Sequence, residues 1–473
     1  MRVTNSMLSS DMLLNMNRNM MNLNDLYNQM STGKRIQFPS DNPILASRAL
    51  TFRTNVSETE QFQQNVNQGV SWMTTTQNAF SNVMDIVRQI RTLCVQGASG
   101  ENTYTDKQAI AGNIAQLASQ LGSEMNAAYG GRYVFSGCRT DCPPYYTDDS
   151  ADSYTVNQSF TAGDIENINS YQKLDDPAVG NVTPPVTYPA SVLKLAYTNV
   201  DADPPISVTI GGSPAAVNTT GLKDPGAYNP DPDGVNFIPE TGELVLGSNV
   251  AASIGSGQIG VQYNKTGFKA GEPNPIVNFT CTALNGQNAG KTYTMDNQDL
   301  RYQFSTNVMI PVNSLAKNVY SDKMYADLNA LLAVVNSVKT SDPTQLAAAL
   351  KRQNPGMTDD QINTMVHDQL TRENSDINKV LQGRFNDMIG LMDKYSSGIS
   401  VQQSDLGSRM KRLDLLSSRL AQDGINYKTL LSQNEDADIS ETAMNLSAAQ
   451  AVYMASLKAG AGIIQQTLAN YIG

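Results

Sequence analysis

Along the first thirty residues the apolar positions Leu13, Met16, Met20, Leu23, Tyr27 and Met30 recur at steps of 3 and 4. That spacing draws one seam along a helix that packs lengthwise on another. A second helix is expected to start at PSDNP, with Asn42 capping and Pro43 at the first helical position, and to run to about Gly97. Val66, Val70, Met73, Phe80, Met84 and Val87 keep the register within it. A shorter third helix is expected over Thr105 to Ala128, after which GGRYVFSG turns the chain into β structure. The longest pattern runs from Leu381 through Phe385, Met388, Met392, Tyr395, Ile399, Leu406, Leu413, Leu416, Leu420 and Tyr427 to Leu430, with Gln402, Arg409 and Asp423 as its polar members. Gly383, Gly390, Gly398 and Gly407 lie inside it; each costs about 1 kcal/mol relative to Ala, so kinks are expected. A terminal helix should begin at DADISE, where Asp438 caps and Glu441 completes a capping-box spacing. Its stripe is Leu446, Tyr453, Leu457, Ile464 and Tyr471.

The middle of the chain has another texture. Residues 141–300 hold 15 of the 20 prolines and 16 of the 34 glycines, with 18 acidic against 6 basic side chains. That density forbids long helices, and SVLKLAYT, GELVLGSNV, QIGVQYNKTG and PIVNFTCTAL have strand length and strand composition. A further helical stretch is expected over Ser314 to Asn374. The fold class is therefore α+β: a long coaxial helical rod formed by both termini, with a β-rich outer domain inserted. The expected boundaries are 1–42 with 432–473 for a terminal coiled-coil polymerisation domain, 43–146 with 311–431 for an inner rod, and 147–310 for the outer insert. The end helices carry few charges, and the last is crowded with Ala and Gly. A lone hairpin of two such helices buries too little to offset an ordering cost of roughly 1–2 kcal/mol per residue, so these ends should fold by packing on neighbouring subunits.

Charge and composition narrow the chemistry. With 33 Lys and Arg against 44 Asp and Glu, the formal charge of −11 argues against nucleic acid and anionic membranes as partners. A single histidine, His367, excludes sites built on several imidazoles, and its polar helical surroundings suit a solvated side chain. Catalysis starts from a low expectation, and no cofactor is expected. The opening MRVTNSMLSSDMLLNMNRNM lacks the apolar core and cleavage site of a secretory signal, and no run of apolar residues is long enough to span a membrane. GQNAGKT at 286–292 is one residue short of a phosphate-binding loop and is read as a hairpin turn. Asn229, Asp231, Asp233 and Glu240, with Gly234, match positions of a calcium loop, but Pro230, Pro232 and Pro239 interrupt it and FIPETGELVLG reads as strand, turn, strand. Cys138 and Cys142 are read as thiols, with a local disulfide as the alternative. Trp72 is read as rim packing.

At both ends the sequence resembles the flagellin superfamily. The opening MRVTNSML and LNDLYNQMSTGKRIQFPSDNPILASRAL carry the first likeness, with Gly33, Lys34, Arg35, Ile36, Pro39, Ser40, Asp41, Asn42 and Pro43 in the loop between the first two helices. GGRYVFSGCRTDCPPY, and the carboxyl end from LDLLSSRL to ANYIG with Glu435 to Ile439 at a break between helices, carry the rest. Within the superfamily these segments are more similar to the hook–filament junction branch than to filament flagellins, although the cysteines and the 314–374 stretch depart from it. The resemblance implies a structural adaptor that forms a ring joining hook to filament, with itself, a neighbouring junction protein and the flagellin filament as partners. It implies type III export without a cleaved signal, an export chaperone at the C-terminal helix, and an extracellular place in the bacterial flagellum. The alternatives are a filament flagellin, or a calcium-binding or adhesive outer domain on a flagellin-like rod.

Overall fold

A computed structural model describes residues 5–172, 186–222, 224, 226–255, 257–295, 299–320, 322–338 and 340–469. The chain divides into two compact units: Met1–Asn67 with Gln303–Val308 and Leu413–Gly473, and Gln68–Tyr302 with Met309–Arg412. Helices α1 (Asn5–Thr32), α2 (Pro43–Gly97) and α3 (Tyr104–Met125) open the chain, and α9 (Asp359–Glu435) and α10 (Ile439–Ala469) close it.

Caps fix the starts and stops of these helices. Asn42 Oδ1 accepts from Leu45 N at 3.2 Å beside Pro43, as the PSDNP signal requires. Thr103 and Asp106 form a reciprocal capping box at α3, which ends at Met125, slightly before the expected limit. Asp438 Oδ1 accepts from Ser440 N (2.9 Å) and Glu441 N (3.1 Å) to start α10. The four glycines expected to kink α9 do not interrupt it; a Cβ at any of them would meet nothing within 4 Å. They lie away from packed neighbours, and Leu381, Phe385, Met392, Ile399, Leu406 and Leu413 bury the other side.

In the first unit, α2 and α9 pack side by side. Gln63 Nε2 donates to Ser417 Oγ at 2.7 Å, Asn434 Nδ2 to Leu45 O at 2.9 Å, and Lys428 pairs with Glu60 at 2.7 Å. In the second unit, Phe80, Met73, Val83 and Ile90 are buried within the helical core, and Phe80 meets Phe135 edge-on. A Cβ on Gly97 would stand 2.7 Å from the Phe385 ring, so glycine permits that approach. Trp72 is not at a rim: it is 2% exposed and packs edge-on to Tyr129. A short hairpin, β1 (Ala128–Tyr129) and β2 (Arg132–Tyr133), supplies that cover through GGRYVFSG.

The insert is a pair of sheets. Strands β3 (Ser150–Thr161), β4 (Glu166–Gln172), β5 (Val186–Lys194), β6 (Ser207–Ile210), β7 (Ser213–Pro214), β8 (Val217–Thr219), β9 (Val235–Ile238) and β10 (Glu243–Leu246) precede the short helix α4 (Ser248–Ser253). Then come β11 (Gln258–Phe268), helix α5 (Pro275–Asn278), β12 (Thr280–Ala283), β13 (Thr292–Tyr293), and the hairpin β14 (Arg301–Ser305) and β15 (Val308–Pro311). The orders are β13-β12-β3-β11-β6-β7 and β4-β5-β10-β9-β8, antiparallel except for the β8–β9 pair. Val156, Val261 and Ile259 from one sheet share a core with Leu193, Phe237 and Leu244 from the other. Alternation then turns Val192, Ile238 and Val245 to the opposite face, where they form a second cluster with Tyr228. Of the expected strand runs, QIGVQYNKTG lies in β11, SVLK of SVLKLAYT ends β5 and ELVL of GELVLGSNV forms β10, but SNV opens α4, and PIVN forms α5, because Asn274 Oδ1 accepts from Ile276 N and Pro275 starts the turn.

The stretch 314–374 is helical in pieces: α6 (Ala316–Val319), α7 (Asp322–Ser337), α8 (Pro343–Gln353) and the first turns of α9. A buried charge network binds α7 to β4, β5 and α9. Lys194 Nζ donates to Glu166 Oε2 at 2.7 Å and Asp327 Oδ1 at 2.8 Å, while Tyr395 OH donates to Asp327 Oδ2 at 2.5 Å. Burial pushes the Lys194 amine down, but the two carboxylates more than offset this and leave it above its ordinary value.

Candidate functional site

The terminal helices α1 and α10 pack against one another along a polar-spotted line. Ser9, Met12, Met16, Asn19, Leu23 and Leu26 are its half-buried positions in α1, again at steps of 3 and 4. Leu446, Ala449, Tyr453, Ser456 and Gly460 are the corresponding positions in α10. Asn19 Nδ2 donates to Ser456 Oγ at 3.2 Å, and the Met12 methyl lies 3.3 Å from where a Cβ on Gly460 would stand.

The sequence seam and this line share only part of their residues. Met16, Leu23, Leu446 and Tyr453 are half-buried, whereas Leu13 (53%), Met20 (56%), Tyr27 (47%), Met30 (41%) and Leu457 (39%) stand exposed. Tyr27 reaches across through its hydroxyl, which accepts from Gln450 Nε2 at 2.5 Å. The Ile464 side chain and Tyr471 lie outside the described residues. The apolar face of α1 is therefore wider than one helix can cover, and Leu14, Met21, Met444, Val452 and Met454 extend the exposed surface.

A clasp holds the loop after α1 to the break between α9 and α10. Gly33, at φ +66°, ends α1, and its carbonyl accepts from Ala437 N at 2.9 Å; Arg35 N donates to Glu435 O at 2.7 Å. Lys34 Nζ lies 2.6 Å from Asp436 Oδ1 and 3.2 Å from Glu435 Oε1. Arg53 grips Glu435 with two nitrogens, Nε to Oε2 at 3.0 Å and Nη2 to Oε1. Glu435 is buried, and hydrogen bonding from Arg53, then Lys34, holds its carboxyl below the usual range against the cost of burial. The Lys34 hydrogen bond lowers Asp436 likewise. In the rest of the loop, Asp41 Oδ2 accepts from Phe38 N at 2.9 Å and Gln37 N at 3.2 Å, fixing the turn through Pro39 and Ser40, and Ile36 is half-buried. Arg53 has no seam position and no loop signature, so periodicity missed it.

Other sequence candidates have ordinary structural roles. Asp233 accepts from Asn249 Nδ2 at 2.8 Å, Asp231 O accepts from Gly234 N, and Glu240 accepts from Leu222 N at 3.3 Å. The extended strand β9 separates Glu240 from Asn229, Asp231 and Asp233, so the calcium positions are not gathered. Among the described residues no three His, Cys, Asp or Glu side chains are grouped to hold a metal ion. GQNAGKT forms the β12–β13 turn, closed by Gly290 N donating to Ala283 O at 2.7 Å. Cys138 is exposed and Cys142 half-buried, and no disulfide joins them; burial, then Asp141, raises the Cys142 thiol. Cys94 and Cys281 are pushed up to about 12 by burial. His367 is exposed on α9. No helix among the described residues is long and apolar enough to cross a membrane.

Comparison with known proteins bears on the two ends. Residues 3–140 match the bacterial flagellin N-terminal helical region, and residues 389–472 match the bacterial flagellin C-terminal helical region. Flagellar hook-associated protein 3 of Escherichia coli K12 is 30% identical over 118 residues, covering 25% of this chain and 37% of that protein. Its counterpart from Salmonella typhimurium LT2 is 28% identical over the same length and shares. Flagellin of Serratia marcescens is 30% identical over 107 residues, 23% of this chain and 30% of that one. The chain thus spans little more than a third of the length of the curated relatives it matches. Among solved structures, flagellar hook-associated protein 3 from Legionella pneumophila aligns over 81% of this chain and 98% of its own, with TM-score 0.32 and 11% identity. FlgL of Xanthomonas campestris aligns over 82% and 99%, with TM-score 0.32 and 13% identity. The chain is thus similar at both ends to the helical regions of bacterial flagellin, with a β-rich region between them.

Proposed function

We propose that this protein is a non-enzymatic structural adaptor of the bacterial flagellum, assembled as a ring that joins hook to filament. The observation that carries the reading is the terminal helix pair, which leaves Leu13, Met20, Met21, Val452, Met454 and Leu457 in water. Fully burying a side chain of this size contributes about 1.5–3 kcal/mol, so covering the surface with further helices would drive association. The hook-associated relatives, matched at 30% and 28% identity, support the junction reading, and a flagellin matched at 30% makes the filament the alternative. In this reading 1–42 with 432–473 polymerise, 43–146 with 311–431 form the inner rod, and 147–310 face outward. Partners are further copies of the chain, a neighbouring junction protein and the flagellin filament. Export runs through the flagellar type III apparatus with a chaperone on the C-terminal helix, and the mature site is extracellular.

Deletion of the coding region tests this by electron microscopy of the cells and a protein gel of the medium. Bare hooks with intact flagellin shed into the medium are expected. Bare hooks with no secreted filament protein would make this chain the flagellin, and normal filaments would overturn both readings.

A further inference from the structure

Where β11 ends beside α7, a cleft of about 530 Å³ opens within the second unit. Its walls include Lys265, Glu272, Tyr325 and Asn329, with Asp149 and Lys269 also among the lining residues. Lys265 and Glu272 are each 3% exposed. Lys265 Nζ donates to the carbonyls of Thr198 at 2.9 Å and Asn199 at 3.2 Å, which leaves one of its three N–H donors. Glu272 Oε2 accepts from Lys269 N at 2.9 Å, and its second oxygen takes no donor from the described residues. Lys269 pairs instead with Asp149 at 2.7 Å, and among the described residues no salt bridge joins Lys265 to Glu272.

Two opposite charges are therefore withdrawn from water in one cleft, attracting one another but sharing no hydrogen bond or salt bridge. Burial pushes the Lys265 amine down and the Glu272 carboxyl up, and the attraction between the two opposes both shifts without overcoming them. Such groups are costly to bury unless paired. A simple anion would give a countercharge to Lys265 alone and a simple cation to Glu272 alone, while a neutral ligand would offer hydrogen bonds to both but a countercharge to neither. The four charged lining side chains sum to zero, and the volume lies within the range of about 300–1,000 Å³ usual for small-molecule sites. We propose that this cleft binds a small zwitterion, a free α-amino acid or dipeptide, with its carboxylate on the Lys265 ammonium and its ammonium on the Glu272 carboxylate. Asn329 and the Tyr325 ring form further wall around the ligand backbone. The site is independent of the terminal helices, so its failure would leave the assembly reading untouched.

Isothermal titration of the full chain with L-alanine and glycylglycine tests it, with propionate and ethylamine as carriers of one charge each. At least one zwitterion should saturate a single site, and both single-charge compounds should bind about tenfold more weakly or worse. The variant Glu272→Gln keeps an oxygen for Lys269 N and should lose about tenfold in affinity for the zwitterion. Absence of saturable heat with both zwitterions at about 10 mM, or equal binding of propionate, would overturn the proposal, as would unchanged binding by Glu272→Gln.

Discussion

Replacement of Lys194 by Met removes the centre of the charge network that fastens α7 to the five-stranded sheet. The Lys194 side chain is 11% exposed and that of Asp327 only 2%, so the pair is not a surface salt bridge. Loss of the ammonium leaves the Asp327 carboxylate buried with the Tyr395 hydroxyl at 2.5 Å but no counter-charge. Removing one partner of a buried pair costs about 3–5 kcal/mol, against about 0–1 kcal/mol for an exposed one. Differential scanning calorimetry of the full chain should show the transition of this unit falling by several degrees. The second variant, Lys194→Met with Asp327→Asn, removes both charges and should regain a substantial part of the loss, with a coupling of about 0.5–3 kcal/mol. A single-variant cost below about 1 kcal/mol would refute the reasoning, as would single costs that simply add.

Three further outcomes follow from the same geometry. Because Glu435 titrates below its ordinary value of 4.5, the stability it contributes is present above that value and lost as pH falls through its lower folded value. Protection from hydrogen exchange at Gly33 to Arg35, taken relative to the free-peptide rate at each pH, should therefore fall on acidification, and Glu435→Gln should remove that pH dependence. Gly97→Ala would press a methyl against Phe385 and should cost about 1–3 kcal/mol, whereas Gly383→Ala meets open space and should gain up to about 1 kcal/mol; urea unfolding separates them. Leu457→Asp changes an exposed residue, so circular dichroism of the free protein should be unaltered while incorporation into flagella is lost. A normally assembling variant would remove Leu457 from the contact.

Much of the helical scaffold was legible because its signals are local. Asn42 with Pro43 and Asp438 with Glu441 mark helix starts by chemistry within one turn, and the stop at Gly97 was visible in the same way. The density of Pro and Gly between 141 and 300 excluded long helices wherever the strands paired. The PIVN error shows the limit of short apolar runs, since the side-chain cap from Asn274, the residue just before the run, outweighed strand composition.

What the sequence by itself determined was therefore the type of the long elements, the capped helix starts and the family likeness, all of which depend on near neighbours along the chain. Tertiary structure alone decided which apolar residues became covered. Met16 and Leu23 lie on the contact line and Leu13 and Met20 do not, because one seam of steps 3 and 4 admits two neighbouring rotations about the same helix axis. It also decided the charge partners: Arg53 with Glu435, and Lys194 with Asp327, are separated by hundreds of residues or by more than a hundred. Sequence spacing carries no information about such pairs, since their energy depends on distance and burial, which exist only once the chain has folded.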